Sequence, residues 1–180
     1  MALYKVSLVG SSGVGKTSIH TRITKGIFLS TVESTVGVCF DKKCYEVNGK
    51  EVILQIWDFG GQMRYSMIAD ILVKGSDAIL LVFDVTRPVT LEELNNVWIP
   101  LALKHKRRDT IMVLVGNKID LGKRVDSRYV NEIAKKYKLK YYETSAKENK
   151  GLNELFFEIA RKLSERPGRE SLTIRPHGDR

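Results

Sequence analysis

Apolar positions along this chain alternate between a period of two and a period near 3.6. Leu3 to Val9 (LYKVSLV) reads as a strand, followed by a glycine-rich loop and a helix-like stretch to about Lys25. VCFDKKCYEV and EVILQIW flank Asn48-Gly49, and Asn-Gly between two strand-like runs is the strongest short hairpin signal. Ala78 to Val85 and Ile111 to Asn117 are nearly continuous apolar runs, as strands covered on both faces are. Between them, Thr90 to Glu93 (TLEE) predicts a capping box opening a helix, with Leu91, Leu94, Val97, Trp98 and Leu101 at helical spacing. Pro100 interrupts that stripe; inside a helix a proline removes a hydrogen bond and costs about 3 kcal/mol, so a kink or an early end is expected there. Tyr129, Val130, Ile133, Ala134 and Tyr137 form another stripe, LKYYETSA a last strand, and Leu152, Leu155, Phe156, Ile159 and Leu163 the face of a final helix. The pattern predicts an α/β fold: a six-stranded, mostly parallel sheet with one antiparallel edge strand and about five helices on both faces. Ligands of such sheets sit at the carboxyl ends of the strands, which directs attention to the loops after Val9, Trp57, Val115 and Thr144.

Composition narrows this further. A chain of 180 residues, 43% hydrophobic and 28% charged, suits one domain with its own core. Arg166 to Arg180 has two prolines, two glycines and no period, so the expected division is a domain over 1–165 and a flexible tail over 166–180. No apolar run approaches the roughly 20 residues that span a bilayer. The start, MALYKVSLVG, reads as a strand rather than a signal peptide, and Ala2 stands where myristoylation needs glycine. Cys39 and Cys44 lie five apart in a strand-like segment, which points them to opposite faces; they read as reduced thiols of a cytoplasmic protein. The net charge of +9 is compatible with nucleic acid, an anionic membrane or acidic partners. Its densest run, Lys104 to Asp109, falls where a helix should end and reads as a solvated terminus. It carries no interleaved aromatics, so nucleic acid is not the expected partner.

Chemistry concentrates in the loops. Gly10 to Thr17 (GSSGVGKT) fits G-x-x-x-x-G-K-[ST] after a strand and before a helix, the context a phosphate-binding loop requires. Backbone N–H groups of Ser12, Gly13, Val14, Gly15 and onward to Ser18 are placed to wrap phosphates at the helix N-terminus. Lys16 would reach the β- and γ-phosphates, and the Thr17 hydroxyl would bind Mg²⁺. Asn117 to Asp120 (NKID) ends a buried strand. Asp120 can accept from guanine N1–H and the 2-amino group, donors that adenine lacks, while the Lys118 stem lies over the base with its charge in water. In Glu143 to Lys147 (ETSAK), the Ala146 N–H could contact the guanine 6-oxo group, with Ser145 bracing the loop and Lys147 beside it.

With these motifs in order, the chain resembles a small GTPase of the Ras superfamily over residues 3 to about 164, a P-loop NTPase G domain. GSSGVGKTS, STVGVCF, LQIWDFGGQ and LLVFDVT are most similar to the Rab branch. The resemblance implies GTP as substrate, GDP as product and Mg²⁺ as cofactor. It implies that Thr35 binds Mg²⁺ and the γ-phosphate in the triphosphate state and that Phe28 packs edge-on against guanine; a core phenylalanine anchoring the helix end is the alternative for Phe28. It implies that Asp58 holds Mg²⁺ through water, that the Gly61 N–H donates to the γ-phosphate, and that Gln62 orients the attacking water. Gln62, Lys16 and Thr35 are thus the expected catalytic residues.

The same resemblance implies a switch of low intrinsic turnover, because no arginine just before Thr35 can serve as a finger in cis. An exchange factor, an activating protein and effectors would contact Thr35–Phe40, Trp57 and Phe59–Val73, and the chain would be a monomer. A nucleotide-gated scaffold without useful hydrolysis is the alternative. Departures from the Rab pattern are specific. Phe59-Gly60 stands where Thr-Ala is common, Met63 where Glu is, and Leu72-Val73 where paired tyrosines are; Asp-x-Gly-Gly-Gln resembles the Arf branch. Leu72 would then be the third member of an effector-facing cluster with Phe40 and Trp57. The last residues, RPHGDR, include no prenylation cysteine, so either the family's membrane anchor is absent or the chain is trimmed; a cytoplasmic protein, peripheral to a membrane at most through partners, is the expectation.

Overall fold

The computed structural model describes residues 2–29, 37–60, 67 and 69–166. Six strands form one sheet: β1 (Ala2–Val9), β2 (Gly37–Val47), β3 (Lys50–Gly60), β4 (Ala78–Asp84), β5 (Ile111–Asn117) and β6 (Lys140–Thr144), in the spatial order β2-β3-β1-β4-β5-β6. Only the β2–β3 pair is antiparallel. Asn48 (φ 51°) and Gly49 (φ 72°) make its two-residue turn, both left-handed as a primed hairpin turn demands. Every residue of β4 is buried, and its side chains alternate between two cores. Leu80 and Val82 face α1 (Lys16–Lys25), while Ile79, Leu81 and Phe83 face the opposite layer.

That opposite layer holds α2 (Pro88–Glu93), α3 (Ile99–His105) and α4 (Ser127–Lys136), whereas α5 (Leu152–Ser164) packs beside α1. Two expectations change here. Thr90 does not cap α2, which opens instead at Pro88. The buried Thr90 hydroxyl accepts from the Asp84 N–H at 3.0 Å and donates to the Arg87 carbonyl at 2.7 Å. Nor does the helix stop near Pro100. Residues Leu94–Trp98 form a π turn that joins α2 to α3, with the Ile99 N–H donating to the Leu94 carbonyl. Widening the turn before the proline relieves the i−4 position where its ring would clash.

At the opposite edge from the strand carboxyl ends, the basic run is partly structural. Arg107 pairs with the buried Asp77 at 2.5 Å, and Arg166 pairs with Asp109 at 3.4 Å and reaches Asp77 at 3.9 Å. Arg166, expected to start the tail, is therefore anchored to the domain; residues 167–180 lie outside the described residues. Both cysteines are free and exposed on β2, so their expected opposition across two faces does not bury either one.

Candidate functional site

The phosphate loop leaves β1 at Gly10, whose φ of +151° and position against β4 admit no side chain: a Cβ would lie 2.2 Å from the Val82 carbonyl oxygen. Gly15 has φ +97°, and a Cβ there would lie 2.3 Å from Asn117 Nδ2. Lys16 folds back over the loop and donates to the carbonyls of Gly10 at 2.9 Å and Ser11 at 2.8 Å. Burial pulls its pKa down to about 8, against the attraction of Asp58. A buried ammonium whose hydrogen-bond partners among the described residues are two carbonyls is poised for a stronger anionic one. Ser12 and Gly13 are exposed on the rim, Ser18 is half-buried, and Val14 is fully buried in the core.

Thr17 and Asp58 meet below this loop, the Thr17 hydroxyl donating to Asp58 Oδ2 at 2.5 Å. Asp58 is fully buried, and its Oδ1 accepts no hydrogen bond from the described residues. Burial pushes its pKa up, opposed by the Thr17 hydroxyl, Lys16 and His20. An orphaned carboxylate oxygen beside a threonine hydroxyl is a hard oxygen set that fits Mg²⁺, which takes few protein ligands and completes its shell with water and phosphate. Among the described residues no cluster of three His, Cys, Asp or Glu side chains offers an all-protein metal site. Thr35, Gly61, Gln62 and Met63 lie outside the described residues.

The NKID and ETSAK loops are braced to one another. Buried Asn117 donates from Nδ2 to the Val14 carbonyl at 3.0 Å and accepts from the Thr144 hydroxyl at 3.1 Å, joining three loops. Asp120 accepts from the Ser145 hydroxyl at 2.6 Å, and Ser145 Oγ accepts from the Glu148 N–H at 3.0 Å, so Ser145 links the two loops. Lys118, at a left-handed φ of 68°, departs from expectation. Its ammonium is not left to water: it donates to the Gly13 carbonyl at 2.7 Å and pairs with Asp84 Oδ2 at 2.8 Å.

Asp84 was not singled out by sequence reasoning, although a carboxylate ending an apolar strand run is a visible signal. Arg22 was also missed. It donates to the carbonyls of Ala146 at 2.8 Å and Lys147 at 3.0 Å, and it lies 5.9 Å from the Phe28 ring centre. Ala146 itself is buried. Phe28 packs partly against the core, so its side chain serves the fold whatever it does for a base.

Phe40 and Trp57 stack at 4.8 Å across the β2–β3 pair, with Phe40 51% exposed and Lys5 Nζ 4.7 Å from the Trp57 ring. Leu72 does not join them. Leu72, Val73 and Phe59 are all buried in the core between the sheet and the helical layer that holds Trp98, which corrects their assignment to a partner-facing surface. Within 59–73, the exposed side chains among the described residues are Met67 and Asp70.

Comparison with known proteins agrees with this geometry. A family-wide sequence model described as "Ras family" matches residues 5–165. The chain is 36% identical to the Ras-related protein RAB1BV of Beta vulgaris, over 97% of this chain and 86% of that protein. It is also 36% identical to the Ras-related protein Rab-8A of Rattus norvegicus and to Rab-8B of Homo sapiens, each over 89% of this chain and 78% of the relative. With that coverage and a phosphate loop, an Asp58–Thr17 pair and an NKID loop meeting at the strand ends, the chain belongs to the Ras family, as a Ras-superfamily small GTPase of the Rab branch.

Proposed function

We propose that this chain binds GTP and GDP with Mg²⁺, hydrolyses GTP slowly, and signals its nucleotide state to effectors in membrane-trafficking-type pathways. The observation that carries the reading is the pairing of a buried Lys16, hydrogen-bonded among the described residues to two carbonyls, with an Asp58 oxygen beside Thr17 that has no partner among the described residues. Together they supply one cation for phosphate oxygens and one hard anionic oxygen for a divalent ion.

In this reading the phosphate loop amides and Lys16 cradle the β- and γ-phosphates, and Asp120 accepts from guanine while Ser145 holds its carboxylate in place. Thr17 and Thr35, with Asp58 through water, would hold the ion. A divalent ion held there would supply charge neutralisation for the transferred phosphoryl group. Gln62 orients the attacking water and the Gly61 N–H donates to the γ-phosphate. No covalent intermediate is needed, because catalysis is positioning and charge stabilisation. The trafficking role is supported by likeness to Rab-named relatives, and the domain is drawn from residue 1 through the anchored Arg166, with 167–180 as its tail.

The test is to identify the nucleotide retained on purification, then measure phosphate release with Mg²⁺. Turnover on the order of 10⁻⁴ to 10⁻² s⁻¹ is expected without an activating protein. Retention of GDP or GTP with no Mg²⁺-dependent hydrolysis would favour a nucleotide-gated scaffold. Binding ATP as tightly as GTP would defeat the guanine reading.

A further inference from the structure

The phosphate loop and the residue after Asp58 are tied to one tryptophan on the neighbouring helix. The Ser11 hydroxyl donates to the Glu93 carboxylate and accepts from the Trp98 indole N–H at 3.3 Å. The Ser11 carbonyl, in turn, is one of the two that hold Lys16 Nζ. On its other side the Trp98 ring lies 6.3 Å from that of Phe59, tilted by 52°, and the Phe59 ring lies 5.2 Å from Lys16 Nζ. Ser11, Phe59 and Trp98 are 7%, 5% and 7% exposed, so the contacts are shielded from water.

The π turn makes this arrangement. Residues five apart in an α-helix diverge by about 140° around the axis, given 3.6 residues per turn. The i→i+5 turn over Leu94–Trp98 is wider, and it swings Trp98 toward the side from which Glu93 reaches Ser11. It also accounts for Phe59, which departs from the Rab pattern: a large ring at that position fills the space against Trp98.

We propose that Trp98 is a positioning residue of the nucleotide site. Its N–H, with Glu93, fixes Ser11 and so the carbonyl that orients Lys16; its ring seats Phe59 at the root of the segment following Asp58. The inference rests on the reading of the chain as a nucleotide switch and adds a residue that touches no nucleotide.

The test uses the full chain with Ser11→Ala, Trp98→Phe and the double variant, loaded with fluorescent GDP and Mg²⁺. Both single variants remove the shared Ser11–Trp98 hydrogen bond, Ser11→Ala also removing the one to Glu93, and each should speed GDP release about two- to tenfold. The double variant should release no faster than the faster single, because both changes remove the same contact. Glu93→Gln, which keeps an acceptor, should retain most of the wild-type rate, whereas Glu93→Ala should not. Release within twofold of wild type in both singles, or effects that multiply in the double, would overturn the proposal. Amide hydrogen exchange over residues 10–16 supplies a reading that needs no nucleotide. It should accelerate in Ser11→Ala and Trp98→Phe while β5 stays protected, and unchanged exchange would overturn the proposal. Should Trp98→Phe fail to fold, Ser11→Ala removes the same bond from the loop side. A wild-type chain that binds no guanine nucleotide would defeat the functional reading instead, and the exchange experiment would still decide the role of Trp98.

Discussion

Replacing Asp84 by asparagine tests whether the base-recognition loop depends on a carboxylate outside every recognised motif. Asp84 ends β4, is 1% exposed, and accepts from the Thr86 N–H at 2.9 Å and the Thr86 hydroxyl at 2.7 Å through Oδ1. Its Oδ2 pairs with Lys118 at 2.8 Å. Burial pushes the carboxyl pKa up, but the bonds from Lys118 and Thr86 outweigh it and hold the group ionised below the usual range. An asparagine keeps the oxygen that serves Thr86 and turns an N–H₂ toward the Lys118 ammonium, donor against donor. A charge-assisted bond lost in this way is worth about 1.5–3 kcal/mol. Lys118 is 31% exposed, so its ammonium can turn to water and recover part of that. What water cannot restore is the orientation of the stem, since ordering a lysine side chain again on binding costs up to about 2 kcal/mol.

The expected result is a GDP and GTP affinity lower by about 1–2 kcal/mol, or five- to thirtyfold. The off-rate of fluorescent GDP should carry most of the change. Thermal unfolding of the same preparations separates loss of fold from loss of site. Asp84→Asn protein with an off-rate within twofold of wild type would refute the argument that the Asp84–Lys118–Gly13 bridge prepares the pocket.

Gly15→Ala should lower nucleotide affinity by about thirtyfold or more, measured by equilibrium titration. The Cβ lies 2.3 Å from Asn117 Nδ2 at a φ of +97°, combining about 1–2 kcal/mol of backbone strain with a lost hydrogen bond to Val14. His20 is buried, and burial lowers its pKa below 6.5 despite Asp58 and Asp41, with Lys25 adding to the lowering. The unfolded chain therefore takes up a proton first as pH falls below about 6.5, and stability should decline from there toward the folded-state value. His20→Leu should flatten that part of a melting-temperature profile relative to wild type. Arg107→Ala removes one partner of the 3%-exposed Asp77 while Arg166 remains nearby, and should cost about 1–2 kcal/mol, read as a drop in melting temperature of about 2–8 °C. Gln62→Leu should slow single-turnover GTP hydrolysis at unchanged GTP affinity; an unchanged rate would remove Gln62 from the mechanism.

What could be read from the chain alone follows from how local each signal is. Asn48-Gly49 specified its hairpin because a two-residue turn needs left-handed residues at both places, and only local sterics decide that. The strands β4 and β5 were legible because burial on both faces leaves no polar alternation. The loops GSSGVGKT and NKID were legible because phosphate and guanine recognition restrict residue type at fixed spacing. Thr90 shows where this ends: TLEE has the residues of a capping box, but a proline two positions earlier already opens the helix, and the threonine is spent on Asp84. Asp84 and Arg22 act through partners 34 and 124 residues away, Lys118 and Ala146, and no local pattern reports such a pairing.

Pro100 and Phe59 carry this reasoning furthest, because each read as an irregularity when taken alone. A proline in a helical stripe predicts a kink or an early end, and Phe59 belongs to a segment expected to contact partners. The helix widens without ending, Phe59 is buried, and the two outcomes are linked. The chain accommodates Pro100 by opening a π turn just before it, the π turn turns Trp98 inward, and the inward tryptophan provides the surface against which Phe59 is buried. A side chain at 59 small enough to leave that surface uncovered would open a cavity beside Lys16. Phe→Ala substitutions in cores cost about 3–5 kcal/mol, much of the stability of a typical domain. The residue after Asp58 is thus constrained from the helix side, by packing, rather than from the nucleotide side, by chemistry. Packing against Trp98 thus gives the large ring at 59 a structural role, distinct from the phosphate and ion contacts proposed for Lys16, Thr17 and Asp58.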